Sequence, residues 1–266
     1  LGILNLGIMK LCKNFAKELI TISNTTIELL KNHVSIRKFK DKDIDKNMID
    51  TIIECAQMAP TSNNLQTYTI IEVRDKKKKE DLSKIAGNQP WVAEAPVVLL
   101  FCADLHRSKK YIQVDDPGIF SNAELYTVAV MDTALATQKA LIAAQSLGLG
   151  GVIVGGIRND MKAVHDMFKL PNLVAPLFLL CLGYPDQSPE LKPRLPKDII
   201  HKIDYYDEHK DSKLIEEYDE IMKEYYSKRS SNQVRESWTT SCEKAFSKSS
   251  RNSTGIFLRS IGFLNR

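Results

Sequence analysis

One segment limits the possible folds more than any other: residues 123–147, the longest stretch of unbroken helical periodicity in the chain. It is rich in Ala and Leu, and Gly148 follows it. Apolar residues recurring at helical spacing predict a helix. A glycine just past the last periodic residue is where such a helix closes, because left-handed backbone costs glycine little. Small side chains let a neighbouring element approach closely. The segment therefore predicts a long central helix placed at a subunit interface.

The flanking sequence supplies shorter elements. Thr25-x-x-Glu28 reads as a capping box opening a helix over residues 27–31. A second helix is expected from Asp45, with Met48, Ile49, Ile52, Ile53 and Ala56 on one face, stopped by Pro60. A polar loop follows over residues 61–66. Strands are expected over residues 68–73, 97–102, 151–154 and 177–182, with helices over residues 76–86 and 161–169. The Lys run at 76–79 reads as a solvated face. Strands and helices mix without clean βαβ alternation, so the expected class is α+β.

At 266 residues the chain is long enough for one good core. Three regions are expected: an N-terminal extension (residues 1–24), a core (25–198) and a basic helical C-terminal segment (199–266). The extension mixes Leu and Ile with Lys10, Lys13, Lys17 and Glu18, and reads as amphipathic or poorly ordered rather than as a targeting signal. The C-terminal segment has too little apolar content for its own core, so it is expected to wrap the main domain or a partner subunit. From residue 223 onward there are nine Lys/Arg against three acids, so the net charge of +4 is concentrated there. Such a tail attracts nucleic acid, acidic lipid or a phosphorylated small molecule, or serves as a solvated face.

Five cysteines without CxxC spacing read as small buried hydrophobes, which fits a reducing cytoplasm. No apolar run approaches the roughly 20 residues that a membrane span requires. No membrane partner is expected.

Several chemistries find no support. The chain lacks a phosphate loop of the GxxxxGK[ST] type, a GxSxG elbow and an HExxH pair, and its five histidines are scattered. No metal site is expected. Gly148-Leu-Gly-Gly151 lacks the dinucleotide-binding register and precedes a strand, whereas that turn follows one. Two basic clusters far apart in the chain remain: His33, Ser35 and Arg37, and Lys192 with Arg194. Together they supply the cations and the hydroxyl that a phosphate monoester needs. Gly155 and Gly156 directly after a strand let bare backbone face a flat ring. Ser62, Asn63, Gln66 and Gln89 offer hydrogen bonds to a heterocycle's polar edge. A redox cofactor carries its own chemistry, so such a site needs no catalytic triad or acid pair.

The ordered motifs HVSIRKF (from His33), APTSNNLQ (from Ala59), AGNQPWVAEAP (from Ala86), LFCAD (from Leu100), SLGLGGVIVGGIRND (from Ser146), LGYPDQSPELKPRLP (from Leu182) and EYYSKRSSN (from Glu224) resemble the FMN-dependent nitroreductase family. The likeness is to its oxygen-insensitive, NADPH-preferring nitroreductase and flavin reductase branch. It runs from about Thr25 to the C-terminus.

The resemblance implies an intertwined homodimer around a mostly antiparallel sheet flanked by helices, with FMN bound at the dimer interface. It assigns flavin contacts to His33, Val34, Ser35, Ile36, Arg37, Thr61, Ser62, Asn63, Gln89, Ile153, Val154, Gly155, Gly156, Lys192 and Arg194. Among these, Gly155 matches the backbone donor to the flavin N5. Asn64 falls beside the substrate, Arg229 matches an NADPH contact, and Lys248 and Arg251 match basic residues at the pocket mouth.

Two positions depart from the family. Val34 stands where Arg is usual, and Asn64 where many members carry Phe; the second bears on substrate preference. The implied activity is ping-pong: hydride passes from NADPH to FMN, then to a nitroaromatic, quinone or related small-molecule acceptor. No side-chain acid is required, and Arg37 is the expected cation beside the pyrimidine edge. The nearest alternative is a flavin reductase that releases reduced FMN to a partner enzyme. The remote one is a nucleic-acid-binding protein using the basic tail, which its sparse aromatics (Trp238, Phe246, Phe257, Phe263) disfavour, so no nucleic-acid partner is expected.

Overall fold

The computed structural model describes residues 22–228, 236–247 and 251–266, and it divides the chain into two units, residues 1–33 and 34–266. In the first unit, helix α1 (Thr25–Lys31) begins one residue earlier than a Thr25 cap implies. Asn24 is the cap: its side-chain oxygen accepts the Ile27 N–H at 2.9 Å. Glu28 is engaged by the Ser23 hydroxyl at 3.0 Å instead.

The second unit is built on four strands: β1 (Tyr68–Glu72), β2 (Val97–Asp104), β3 (Gly150–Val154) and β4 (Val174–Gly183). Every pairing is antiparallel, in the order β1-β2-β4-β3. The α+β class follows. The central pair is β2 and β4, and β2 is buried at every residue because helices cover both faces of the sheet.

Strand alternation sorts the core into two layers. Leu99, Phe101, Leu180 and Leu182 face one way, against α2 (Lys46–Gln57) and the long helix α6 (Ala123–Ser146). On the other face Val98, Leu100, Cys102, Leu179 and Cys181 meet Leu82 of α3 (Lys76–Ile85), Val92 of α4 (Pro90–Glu94), Ile157, and Val164 of α7 (Met161–Met167). Burial pushes the Cys181 thiol up to about 12 and the Cys102 thiol higher still, so both are inert hydrophobes. Lys79 departs from the expected solvated face: its ammonium caps α4 by donating to the carbonyls of Ala95 and Pro96, both at 3.0 Å.

Helix α6 is the expected central element. Ala129, Ala136, Ala140 and Ala144 are fully buried on it. Gly148 ends it at φ +78°, donating to the Gln145 carbonyl at 3.0 Å. Asp45 caps α2, which stops at Gln57, ahead of Pro60.

After the short α5 (His106–Tyr111) and α8 (Lys197–Ile200), the C-terminal part forms α9 (Asp211–Lys228), α10 (Trp238–Ser247) and α11 (Thr254–Ser260). Phe257, Leu258, Ile261 and Phe263 are buried against Ala103, Leu105, Leu173 and Ala175, so this segment completes the core around the ends of β2 and β4. Among the described residues, no helix is long and apolar enough to cross a membrane, and no group of three or more His, Cys, Asp or Glu could hold a metal.

Candidate active site

Of the expected flavin residues, the 34–37 segment runs beside the outer strand β3. The Ile36 N–H donates to the Gly151 carbonyl at 3.0 Å, which fixes the 34–37 segment beside the start of β3. Ile36 is buried there, and a Cβ on Gly150 would stand 2.5 Å from its side chain. The chain then runs beside the exit from β4, through Lys40 N–H to Tyr184 O at 2.9 Å and Asp186 N–H to Lys38 O at 3.0 Å. Val34 and Ser35 are half-buried and Arg37 is exposed. The Arg37 guanidinium carbon lies 5.5 Å from the centre of the Trp91 ring. His33 belongs to the other unit.

At the far end of β3, after half-buried Ile153 and buried Val154, come Gly155 and Gly156. A Cβ on Gly156 would stand 2.6 Å from the Ala86 carbonyl and 3.0 Å from Gln89 Nε2, so only glycine permits this approach. Gln89 is fixed twice. Its amide donates to Ala86 O at 2.7 Å, and its own carbonyl accepts the Ser83 hydroxyl at 2.7 Å. Arg37, Trp91, Gln89 and the Gly155–Gly156 turn thus occupy one strip bordering β3, whose run from Gly151 to Gly155 spans about 13 Å at strand rise.

Arg158 and Arg251 close the glycine end. The Arg158 guanidinium donates to Leu177 O at 2.7 Å, stacks over Phe178 at 5.3 Å, and lies where a Cβ on Gly155 would come within 2.8 Å of it. Burial, and then the neighbouring charge of Arg251, lower its pKa from the usual arginine value. Arg251 reaches the same turn by donating to Asn159 Oδ1 at 3.1 Å. Arg229 and Lys248 lie outside the described residues.

The loop carrying Thr61, Ser62, Asn63 and Asn64 is held from α6 rather than from β3. The buried carboxylate of Asp132 accepts the Ser62 N–H at 3.2 Å, the Thr67 N–H at 3.1 Å and the Thr67 hydroxyl at 2.7 Å. Asn63, Asn64 and Gln66 adopt positive φ of 48°, 57° and 52°. Asn63 and Asn64 are exposed.

Lys192 and Arg194 are exposed and sit against α9. The Tyr218 hydroxyl donates to the intervening Pro193 carbonyl at 2.9 Å, and Lys192 lies 5.4 Å from the Tyr226 ring centre. Neither forms an ion pair among the described residues.

The structure thus joins Ile36–Arg37, Gln89 and Gly155–Gly156, anchors the 61–66 loop on α6, and sets Lys192 and Arg194 on a separate tether. Three residues went unread in the sequence: Asp132, Trp91 and Arg158. Asp132 carried a visible signal, a lone acid within the apolar helical run of residues 128–136. The donor set suits a phosphorylated flavin: exposed Arg37, Lys192 and Arg194 for an anion, a fixed amide at Gln89 for a polar ring edge, and a turn at Gly155–Gly156 with no side chain of its own.

Known proteins resemble this chain over most of its length. The chain is 40% identical over 242 residues to the oxygen-insensitive NADPH nitroreductase of Salmonella typhimurium, covering 91% of this chain and 99% of the relative. It is 38% identical over 244 residues to the NADPH-flavin oxidoreductase of Vibrio harveyi, covering 91% and 100%. Nitroreductase A from Vibrio parahaemolyticus superposes with a TM-score of 0.83 at 36% identity, covering 92% of this chain and 100% of that one. The Vibrio harveyi NADPH:FMN oxidoreductase complexed with NAD+ gives 0.83 at 35%, covering 91% and 100%. Residues 30–184 match the nitroreductase family and residues 192–266 its C-terminal domain, and the chain belongs to the nitroreductase family.

Proposed function

We propose that this protein is an FMN-dependent oxidoreductase that uses NADPH to reduce nitroaromatics, quinones or related small acceptors by a ping-pong cycle. The observation that carries the reading is the strip along β3. It sets a cation, Arg37, at one end and the Gly155–Gly156 turn at the other, with Arg251 brought to that turn through Asn159. Bound FMN supplies a two-electron carrier between reductant and acceptor. Arg37 holds positive charge where the cofactor's pyrimidine edge would gain negative charge. Gly155 offers a backbone donor with no side chain of its own, and Gln89 a fixed amide. Ser35, Lys192 and Arg194 suit the phosphate. With Val34 in place of an arginine, these two cations on the α9 tether take the larger share of that anion. Arg251 suits the extra phosphate of NADPH.

A homodimer fits the same reading. Met131 and Leu135, one turn apart on α6, are 50% and 45% exposed, and Met58 at the end of α2 is 73% exposed. These side chains give a second copy an apolar face to cover. Four described cysteines are free, which suits the cytoplasm.

A flavin reductase releasing its product to a partner enzyme is the second reading, favoured by exposed Asn64 in place of an aromatic wall. Turnover with free FMN against turnover with a quinone or nitrofuran separates the two.

The test of the reading is the visible spectrum of the purified protein, before and after anaerobic NADPH and, separately, NADH. A flavin spectrum bleached faster by NADPH is the expected result. A colourless protein that takes up no added FMN overturns it.

A further inference from the structure

Arg37 is exposed, yet its guanidinium lies over the face of Trp91 with the guanidinium carbon 5.5 Å from the ring centre. An exposed arginine samples many rotamers and loses that freedom when it grips a ligand. One already stacked on an aromatic face has given up much of it beforehand. Trp91 itself is well placed as a platform. It follows Gln89 and Pro90 in α4, and Val92 beside it is fully buried in the core. Gln89, which accepts the Ser83 hydroxyl and donates to Ala86 O, ties the entry to this helix to the end of α3.

The indole carries a second, independent clue. Among the described residues, Trp91 Nε1 is the buried side-chain polar atom without a hydrogen-bond partner. A sealed, unsatisfied N–H disfavours the folded state, and a phenylalanine here would avoid that cost. What the indole offers in return is the aromatic face that attracts a cation most strongly.

We propose that Trp91 is a positioning residue that holds the Arg37 guanidinium in its binding orientation for the cofactor. It acts through Arg37 and touches no reacting atom. The inference rests on the reading of Arg37 as an FMN contact.

A plain packing role makes a different prediction, because Trp91 also packs beside the Val92 and Leu100 cluster. The experiment is a double-mutant cycle on FMN affinity, read by flavin fluorescence quenching with the apoprotein, together with the midpoint potential of the reconstituted protein. Trp91→Leu removes the aromatic face and is expected to weaken FMN binding by about tenfold. It should also lower the midpoint potential, because the cation is held less firmly beside the flavin. Trp91→Phe keeps a face and loses the orphan N–H, so its affinity should stay within about threefold of the parent and its potential close to it. In an Arg37→Ala background, Trp91→Leu should change FMN affinity less than twofold, because the residue it positions is gone.

An equal loss from Trp91→Leu in both backgrounds overturns the inference and leaves Arg37's assignment standing. Failure of Trp91→Phe to preserve affinity overturns it as well. An Arg37→Ala protein that binds FMN as tightly as the parent overturns the assignment of Arg37, and this inference with it.

Discussion

The carboxylate of Asp132 takes the hydroxyl of Thr67 at 2.7 Å, joining the middle of the central helix to the end of the polar loop that precedes β1. The same group receives the backbone N–H of Thr67 and that of Ser62. Between those anchors, Asn63, Asn64 and Gln66 hold left-handed backbone. Asparagine tolerates that region through its short polar side chain, and glutamine less so. The loop's shape is therefore imposed from α6. Asp132→Ala strands two buried donors on Thr67 and a part-buried one on Ser62, at about 1–3 kcal/mol each before relaxation, so a net loss of about 3 kcal/mol is expected. Urea unfolding of the FMN-loaded protein measures it. The KM for the acceptor should rise alongside. A loss below about 1 kcal/mol would show that the loop holds its own shape.

The two site glycines should respond differently to a single methyl group. On Gly156 it meets the Ala86 carbonyl at 2.6 Å, a backbone atom tied into the end of α3. On Gly155 it meets the Arg158 guanidinium at 2.8 Å, the far end of a flexible side chain. Overpacking against backbone costs about 1–3 kcal/mol, so Gly156→Ala should lower the Tm by several degrees and Gly155→Ala by less. Thermal unfolding of the two apoproteins, compared side by side, checks the order. Equal shifts would mean that Arg158 cannot move aside, as its Leu177 hydrogen bond and Phe178 stacking would then require.

The fold was legible where one residue pattern decides the outcome. The Ala-rich period of 123–147 with Gly148 marked α6, and the continuous apolar run of 97–102 marked a strand buried on both faces. Short elements such as α4, α5 and α11 were missed because five to seven residues carry too little periodicity. The cap at Asn24 was displaced because Ser23, Asn24 and Thr25 are all competent capping residues, and only backbone geometry chooses among them. At the site, glycines and cations were readable because their chemistry is local. Asp132, Trp91 and Arg158 act through partners 19 to 65 residues away, such as Thr67, Arg37 and Leu177, and contacts of that kind do not show in local sequence.

The C-terminal helices should loosen in acid through one carboxylate. Burial would raise the Asp219 pKa, but hydrogen bonds from the Thr239 side chain and backbone, with Ser237 and the Trp238 backbone, outweigh it and hold it below the usual carboxylate range. Its Oδ1 takes the Thr239 N–H at 3.0 Å, which links α9 to the start of α10. A depressed folded pKa gives stability that is present above the unfolded value, about 3.9, and is lost as pH falls through the folded one. The stability gap between the parent and Asp219→Asn should therefore be full at neutral pH and shrink below about pH 4. Urea midpoints at both ends of that range measure it; a gap independent of pH would remove the charge from the explanation.

Arg251 supplies the sharpest test of reductant choice. Its Nε donates to Asn159 Oδ1 at 3.1 Å, so the guanidinium is held beside the turn that follows β3, and its fork carries further N–H donors. That arrangement suits the 2′-phosphate that distinguishes NADPH from NADH. Arg251→Gln removes the charge and keeps a polar chain. A hydrogen bond to a charged group is worth about 1.5–3 kcal/mol, so kcat/KM for NADPH should fall by about tenfold or more. For NADH the change should stay within about twofold, because that cofactor lacks the second charge for the fork to bind. Asn159→Ala, which frees the guanidinium without removing it, should act in the same direction and more weakly. Steady-state kinetics with each reductant at one fixed acceptor concentration give both ratios. Equal losses with NADPH and NADH would place Arg251 in shaping the pocket mouth, and the preference between the two nucleotides would then have to come from another cation.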